Sequence, residues 1–86
     1  MRHDEAMNRD ALLDRISIDP MVCGGRPCVR GHRIWVSVVL GMLADGMTID
    51  EIVVEYPGLA ADDVRACAAY GSLLATGRYV DLPASA

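Results

Sequence analysis

The sequence contains no lysine and no phenylalanine, and only one tryptophan and three tyrosines. The missing lysine comes with no glycine-rich phosphate loop and no clustered carboxylate pair. Enzyme chemistry therefore has little to work with. A Cys–His pairing among Cys23, Cys28 and His32 would lack both an orienting group and a pocket. No catalytic residue, cofactor or metal is expected. No run approaches the roughly 18 consecutive apolar residues of a membrane span. Residues 1–10 are charged and lack the apolar stretch of a signal peptide, so the chain reads as cytoplasmic. Three cysteines, an odd number, do not make a disulfide framework. At 86 residues the chain is too short for two domains, a (β/α)₈ barrel or a full dinucleotide-binding sheet.

What is present is apolar and unevenly charged. Hydrophobic residues make up 52% of the chain and charged ones 23%, which excludes a disordered polymer. The mean hydropathy of +0.24 is high for a small domain. A domain of this size buries only about 60–65% of the surface its unfolded chain exposes. Part of the apolar material is therefore expected at a second surface, as a homodimer, a partner contact, or both. The formal net charge is −4. Residues 45–86 carry seven carboxylates (Asp45, Asp50, Glu51, Glu55, Asp62, Asp63, Asp81) against Arg65 and Arg78, a net of −5. Residues 20–44 carry Arg26, Arg30 and Arg33 and no acid, a net of +3, with His32 among them. A locally basic stretch can contact phosphate even in an acidic protein.

Periodicity places the elements. Ile16 to Asp19 alternates apolar and polar and predicts a short strand, ended by Pro20. Arg26 to Arg30 predicts a short edge strand, where Pro27 is tolerable. A small hairpin or irregular arm thus covers residues 16–34. Val36, Val39, Leu40 and Leu43 fall on one helical face, and Gly46 stops that helix. Thr48 and Glu51 form a capping box for a second helix, whose apolar face is Ile49, Ile52, Val53 and Tyr56. Pro57-Gly58 ends it. A third helix is predicted over residues 61–75, with Asp62 and Asp63 at the positive end of its macrodipole. It carries two apolar stripes: Val64, Cys67, Ala68, Gly71 and Leu74, and Ala66, Ala69, Tyr70 and Leu73. Such a helix is expected to be sandwiched between its own core and another chain. Helix, turn and helix over residues 48–75 fit a helix-turn-helix unit.

Several of these segments, in this order, resemble a bacterial family. They are Ile16-Ser-Ile-Asp-Pro20, Gly24-Gly-Arg-Pro27, Arg30-Gly-His-Arg-Ile34, Thr48-Ile-Asp-Glu-Ile52, Glu55-Tyr-Pro-Gly-Leu59 and Asp63-Val-Arg-Ala66. The family is the one catalogued as domain of unknown function 433. The resemblance covers roughly residues 15–75. It implies a mainly α fold: a three-helix, homeodomain-like or winged-helix-like bundle with a short N-terminal β-hairpin or arm. It also implies an antitoxin of the VapB type, which binds a PIN-like ribonuclease toxin. The chain departs from the family pattern at Trp35, often Pro, at His32, usually Thr, and at Ala60, often Ser or Thr. The last change removes an N-cap.

The domain plan that follows is a polar extension over residues 1–14, one helix-turn-helix-like domain with a β arm over 15–76, and a tail over 77–86. Arg26, Arg30, His32 and Arg33 form the basic cluster expected to contact operator DNA, since guanidinium groups bind phosphate in bidentate fashion. For Arg33 an internal anchoring role competes, because it shares strand parity with Val29 and Trp35. Asp62 and Asp63 repel phosphate, which favours a packing role for the third helix over base reading. Tyr70 and Leu73 on that helix, and Tyr79, Val80 and Leu82 in the tail, are the expected partner-binding residues. Cys23, Cys28 and His32 give a C-x₄-C-x₃-H spacing, looser than a zinc knuckle, and buried thiols are the simpler reading. A lone Trp beside a helix start, Trp35, reads as core. The function expected is an antitoxin that neutralises a PIN-like toxin, forms a homodimer and represses its own operon. The alternatives are a stand-alone helix-turn-helix regulator and a protein-interaction module without a nucleic-acid role.

Overall fold

A computed structural model describes residues 9–77. The order of elements is α1, described over residues 9–13, β1 (Ile16–Ser17), a 3₁₀ turn (Cys23–Gly25), β2 (Cys28–Val29), β3 (Ile34–Trp35), α2 (Val36–Ala44), α3 (Ile49–Glu55) and α4 (Ala61–Gly77). The fold is mainly α with a small three-stranded antiparallel sheet. Tyr79, Val80 and Leu82 lie outside the described residues.

The strands are shorter than alternation predicts, and a third strand joins them. Only Ile16 and Ser17 of the expected 16–19 strand pair. Beyond them the Asp19 carboxylate accepts the Met21 amide at 2.9 Å and the Asp19 carbonyl accepts Val22 N–H. That local turn takes the backbone groups a ladder would use, and Pro20 has no N–H to offer. The strand of residues 26–30 is not at an edge. Its paired part, β2, is central: Ile16 faces Val29 on one side, and Cys28 faces Trp35 on the other. Proline lacks only a donor, so Pro27 still extends the sheet by accepting Val36 N–H at 3.0 Å.

The helices follow their local signals. α2 ends at Gly46, whose φ of 97° few other residues adopt. There Met47 N–H reaches Met42 C=O and Gly46 N–H reaches Leu43 C=O, the pair of bonds that defines a Schellman stop. The α3 capping box is complete: Glu51 N–H donates to the Thr48 hydroxyl, and Thr48 N–H donates to the Glu51 carboxylate. At α4 the missing cap at Ala60 is half replaced. Asp63, three residues on, turns back to accept Ala60 N–H at 2.8 Å.

α4 packs on α2, α3 and β1. The core joins Ile16, Val29, Val36, Val39, Ile52, Leu59, Val64, Ala66 and Cys67, so every layer contributes. Ala66 and Ala69, expected on an intermolecular stripe, are already buried within one chain. Ala68, expected on the inner stripe, is exposed, as are Leu73 and Leu74. α4 is therefore covered by its own fold up to Gly71, whereas Ser72 to Thr76 are exposed. Where α4 crosses α2, a methyl group on Gly71 would meet Leu40 Cδ1 at 3.2 Å.

Candidate functional site

The basic cluster does not act as one unit. Arg30 is spent on the backbone. Its Nε donates to Asp14 C=O at 2.8 Å and an Nη to Ile16 C=O at 2.9 Å, which clips the start of the arm to the β2–β3 turn. The anchoring role expected of Arg33 thus belongs to Arg30. Arg33 is exposed, has a left-handed φ of 57°, and makes no side-chain hydrogen bond among the described residues. Strand parity misplaced it because the turn between β2 and β3, closed by His32 N–H on Val29 C=O, resets the alternation. His32 lies beside Gly58, with its Nε2 3.9 Å from Asp63 Oδ2.

Among the described residues Asp63 is the buried carboxylate, its residue only 6% exposed. Arg15 Nη1 donates to its Oδ1 at 2.9 Å, and its Oδ2 takes the Ala60 amide at 2.8 Å. One side chain therefore joins the residue before β1 to the N-terminus of α4, with His32 of the β2–β3 turn close by. Its neighbour Asp62 is held by Arg65 at 2.9 Å and lies 3.9 Å from Arg15. The first turn of α4 is an ion-pair network built on one buried carboxylate, its other members half-exposed, with its acidic groups at the helix end that favours them.

Trp35 is not in the core. It is 36% exposed, and the Arg26 guanidinium lies 4.5 Å above its ring. Such stacking contributes about 0.5–1 kcal/mol at an exposed site. Next to it runs a groove of about 290 Å³. Val36, Ser37 and Leu40 of α2 form one wall, Tyr70 and Leu74 of α4 the other, and Arg26 and Pro27 close one end. Of the expected partner-binding residues that are described, Tyr70 lines this groove and Leu73, 54% exposed, lies on the adjoining turns of α4. Two other hollows differ in character. One, about 430 Å³, lies over the outer face of α3 between Met47, Val54 and three carboxylates. The other, about 400 Å³, is lined by the ion-paired Arg15, Asp62 and Arg65.

The thiols sit inside the fold. Cys28 and Cys67 are fully buried and Cys23 is half-buried. Burial pushes the Cys28 thiol up to about 11, helped by the neighbouring Cys23 thiol, and burial pushes Cys67 up to about 11 as well. Among the described residues no three His, Cys, Asp or Glu side chains converge as a metal site. No described helix is long and apolar enough to cross a membrane.

The family model for proteins of unknown function designated DUF433 matches residues 16–71. The chain belongs to the DUF433 family. A crystal structure of a DUF433 member protein from Anabaena variabilis ATCC 29413 is similar, with 35% sequence identity and a TM-score of 0.64. The similarity covers 81% of this chain and 70% of that one. No curated protein matches the chain. The DUF433 match begins at β1 and ends on Gly71, so it contains the sheet, α2, α3, Asp63 and the α2–α4 crossing, while Arg15, the partner of Asp63, lies one residue before it. Leu73 and Leu74 lie just beyond it.

Sequence reasoning missed three things. The Asp63 hub had half a signal, an Asp three residues after an Ala at the cap position, but Arg15 lies 48 residues away. The Arg30 clip had none, because its acceptors are backbone carbonyls. The Arg26–Trp35 stack had none either, because it crosses the sheet.

Proposed function

We propose that this DUF433 protein is a non-enzymatic antitoxin-type protein that binds and neutralises a PIN-like ribonuclease toxin. The reading takes the kind of partner from the family resemblance and the means of binding from the surface. One observation carries it. The exposed large apolar side chains Trp35, Leu73 and Leu74 lie on β3 and the uncovered end of α4, in or beside a groove lined with further apolar groups. A contiguous apolar patch is what a protein-binding surface needs. Meanwhile Arg15, Arg30 and Arg65 are committed to contacts within the fold.

Within this reading α3, its turn and α4 form a helix-turn-helix-like pair whose second helix packs rather than reads bases. Homodimerisation and repression of the protein's own operon, through Arg26 and Arg33, complete the proposal. Co-expression with the product of the adjacent gene tests the central claim. The expected result is co-purification and loss of ribonuclease activity. A monodisperse protein that leaves a PIN-like neighbour unbound and active refutes it. Light scattering and salt-dependent binding of the promoter fragment test the two additions.

A further inference from the structure

The α2–α4 groove has a polar feature that a general apolar patch does not need. Arg26 stands at its end with the guanidinium stacked on Trp35 at 4.5 Å. Stacking uses the face of the guanidinium and leaves the N–H donors around its edge free to bond. Among the described residues no carboxylate pairs with Arg26, whereas Arg15 and Arg65 both have one. Among the described residues no acidic side chain lines the groove.

We propose that the groove receives an amphipathic helix of a partner protein, with adjacent apolar side chains seated between Leu40, Tyr70 and Leu74 and an Asp or Glu on its flank paired with Arg26. Charge complementarity selects this occupant over a second copy of the chain. A symmetric pairing across the groove supplies no carboxylate from either lining. Strand addition fits less well, because the walls are side chains of two helices and the strands are only two residues long. The volume of about 290 Å³ is at the small end for ligand cavities, about 300 Å³ upward, and suits a few inserted side chains. Trp35 then acts as a platform. Its ring holds the guanidinium flat at the groove mouth, so little of its freedom is lost on binding.

The inference rests on the partner-binding reading above, and its test separates the two. Two synthetic helical peptides carry the same leucines at i, i+3, i+4 and i+7 and differ only in glutamate or lysine flanks. Each is titrated into the full-length protein, with the emission of the single tryptophan, Trp35, as the reporter. The glutamate peptide is expected to bind about fivefold more tightly than the lysine peptide, the scale of one solvent-edge ion pair. Arg26→Glu should reverse that order. Leu74→Asp should weaken both peptides about tenfold. Both positions are at the surface, and circular dichroism confirms that the variants fold. Equal affinity for the two peptides, or binding indifferent to Leu74→Asp, overturns the proposal. So does a dimer, seen by light scattering, that Leu74→Asp dissolves. If the adjacent gene product binds but ignores both substitutions, this assignment fails and the antitoxin reading stands. If the peptides behave as expected and that product does not bind, the reverse holds.

Discussion

Asp63 is the residue whose replacement should be felt most for its size. Asp63→Ala removes the bond that caps Ala60 N–H at 2.8 Å, a type of contact that contributes about 1 kcal/mol. It also removes the Arg15 pair at 2.9 Å. Asp63 is 8% exposed there but Arg15 is 43% exposed, so solvent screening holds that contribution to about 0.5–1 kcal/mol. Loss of a carboxylate from the first turn of α4 adds about 0.3–0.5 kcal/mol. The total is about 2 kcal/mol, and at about 4–8 °C per kcal/mol for a domain of this size Tm should fall by about 8–16 °C. Asp63→Asn keeps an oxygen for Ala60 N–H but turns an NH2 donor toward Arg15 in place of the other oxygen, so about 1 kcal/mol is expected. Urea unfolding followed by circular dichroism measures both. A cycle with Arg15→Ala should return a coupling of about 0.5–1 kcal/mol. An Asp63→Ala variant within about 0.5 kcal/mol of the parent, the range of an ordinary surface change, would refute the hub argument.

Three further outcomes are expected. Arg30→Ala should cost about 1–2 kcal/mol through its two carbonyl bonds, while Arg33→Ala should stay within about 0.5 kcal/mol of the parent; urea midpoints that rank the other way would return the anchoring role to Arg33. Thr48→Ala should cost about 1 kcal/mol by opening the α3 capping box, and a smaller loss on a Glu51→Ala background would confirm that the two bonds work as a pair. The Cys28 and Cys67 thiols are raised from 9.0 to about 11, so the unfolded chain gives up these protons first and folding stability should decline between about pH 9 and pH 11. Urea midpoints measured across that window should fall, and less steeply in Cys67→Ala; a flat profile would contradict the burial of these thiols.

The helices were legible in the sequence because their determinants are local. Gly46 reads as a stop from its neighbours alone, and Thr48 with Glu51 fixes the start of α3 within one turn. The sheet was legible only in part. Alternation marked Ile16 and the 26–30 segment, but the number of partners flanking β2 depends on the turn at His32 and on the path of residues 18–22. The site was less legible still. Tyr70 and Leu73 were recognisable as surplus apolar groups on a helix with two stripes. Which end of α4 stays uncovered depends on where α2 and β1 end in space. The four basic residues share a sequence neighbourhood and diverge in role, because arginine bonds carbonyls, carboxylates and aromatic faces equally well.

The three strands have a mechanical consequence for the groove. Two of its walls belong to α2 and α4, locked where Leu40 meets Gly71. Its end, Arg26 and Pro27, belongs to a chain segment tethered by β2 and by the Pro27–Val36 bond. A two-residue strand carries few bonds and yields at lower free energy than a helix interior. The groove therefore has a stiff jaw and a compliant one. Apolar side chains meet a fixed width, while the stacked Arg26–Trp35 pair moves as one unit with the strand segment that carries it.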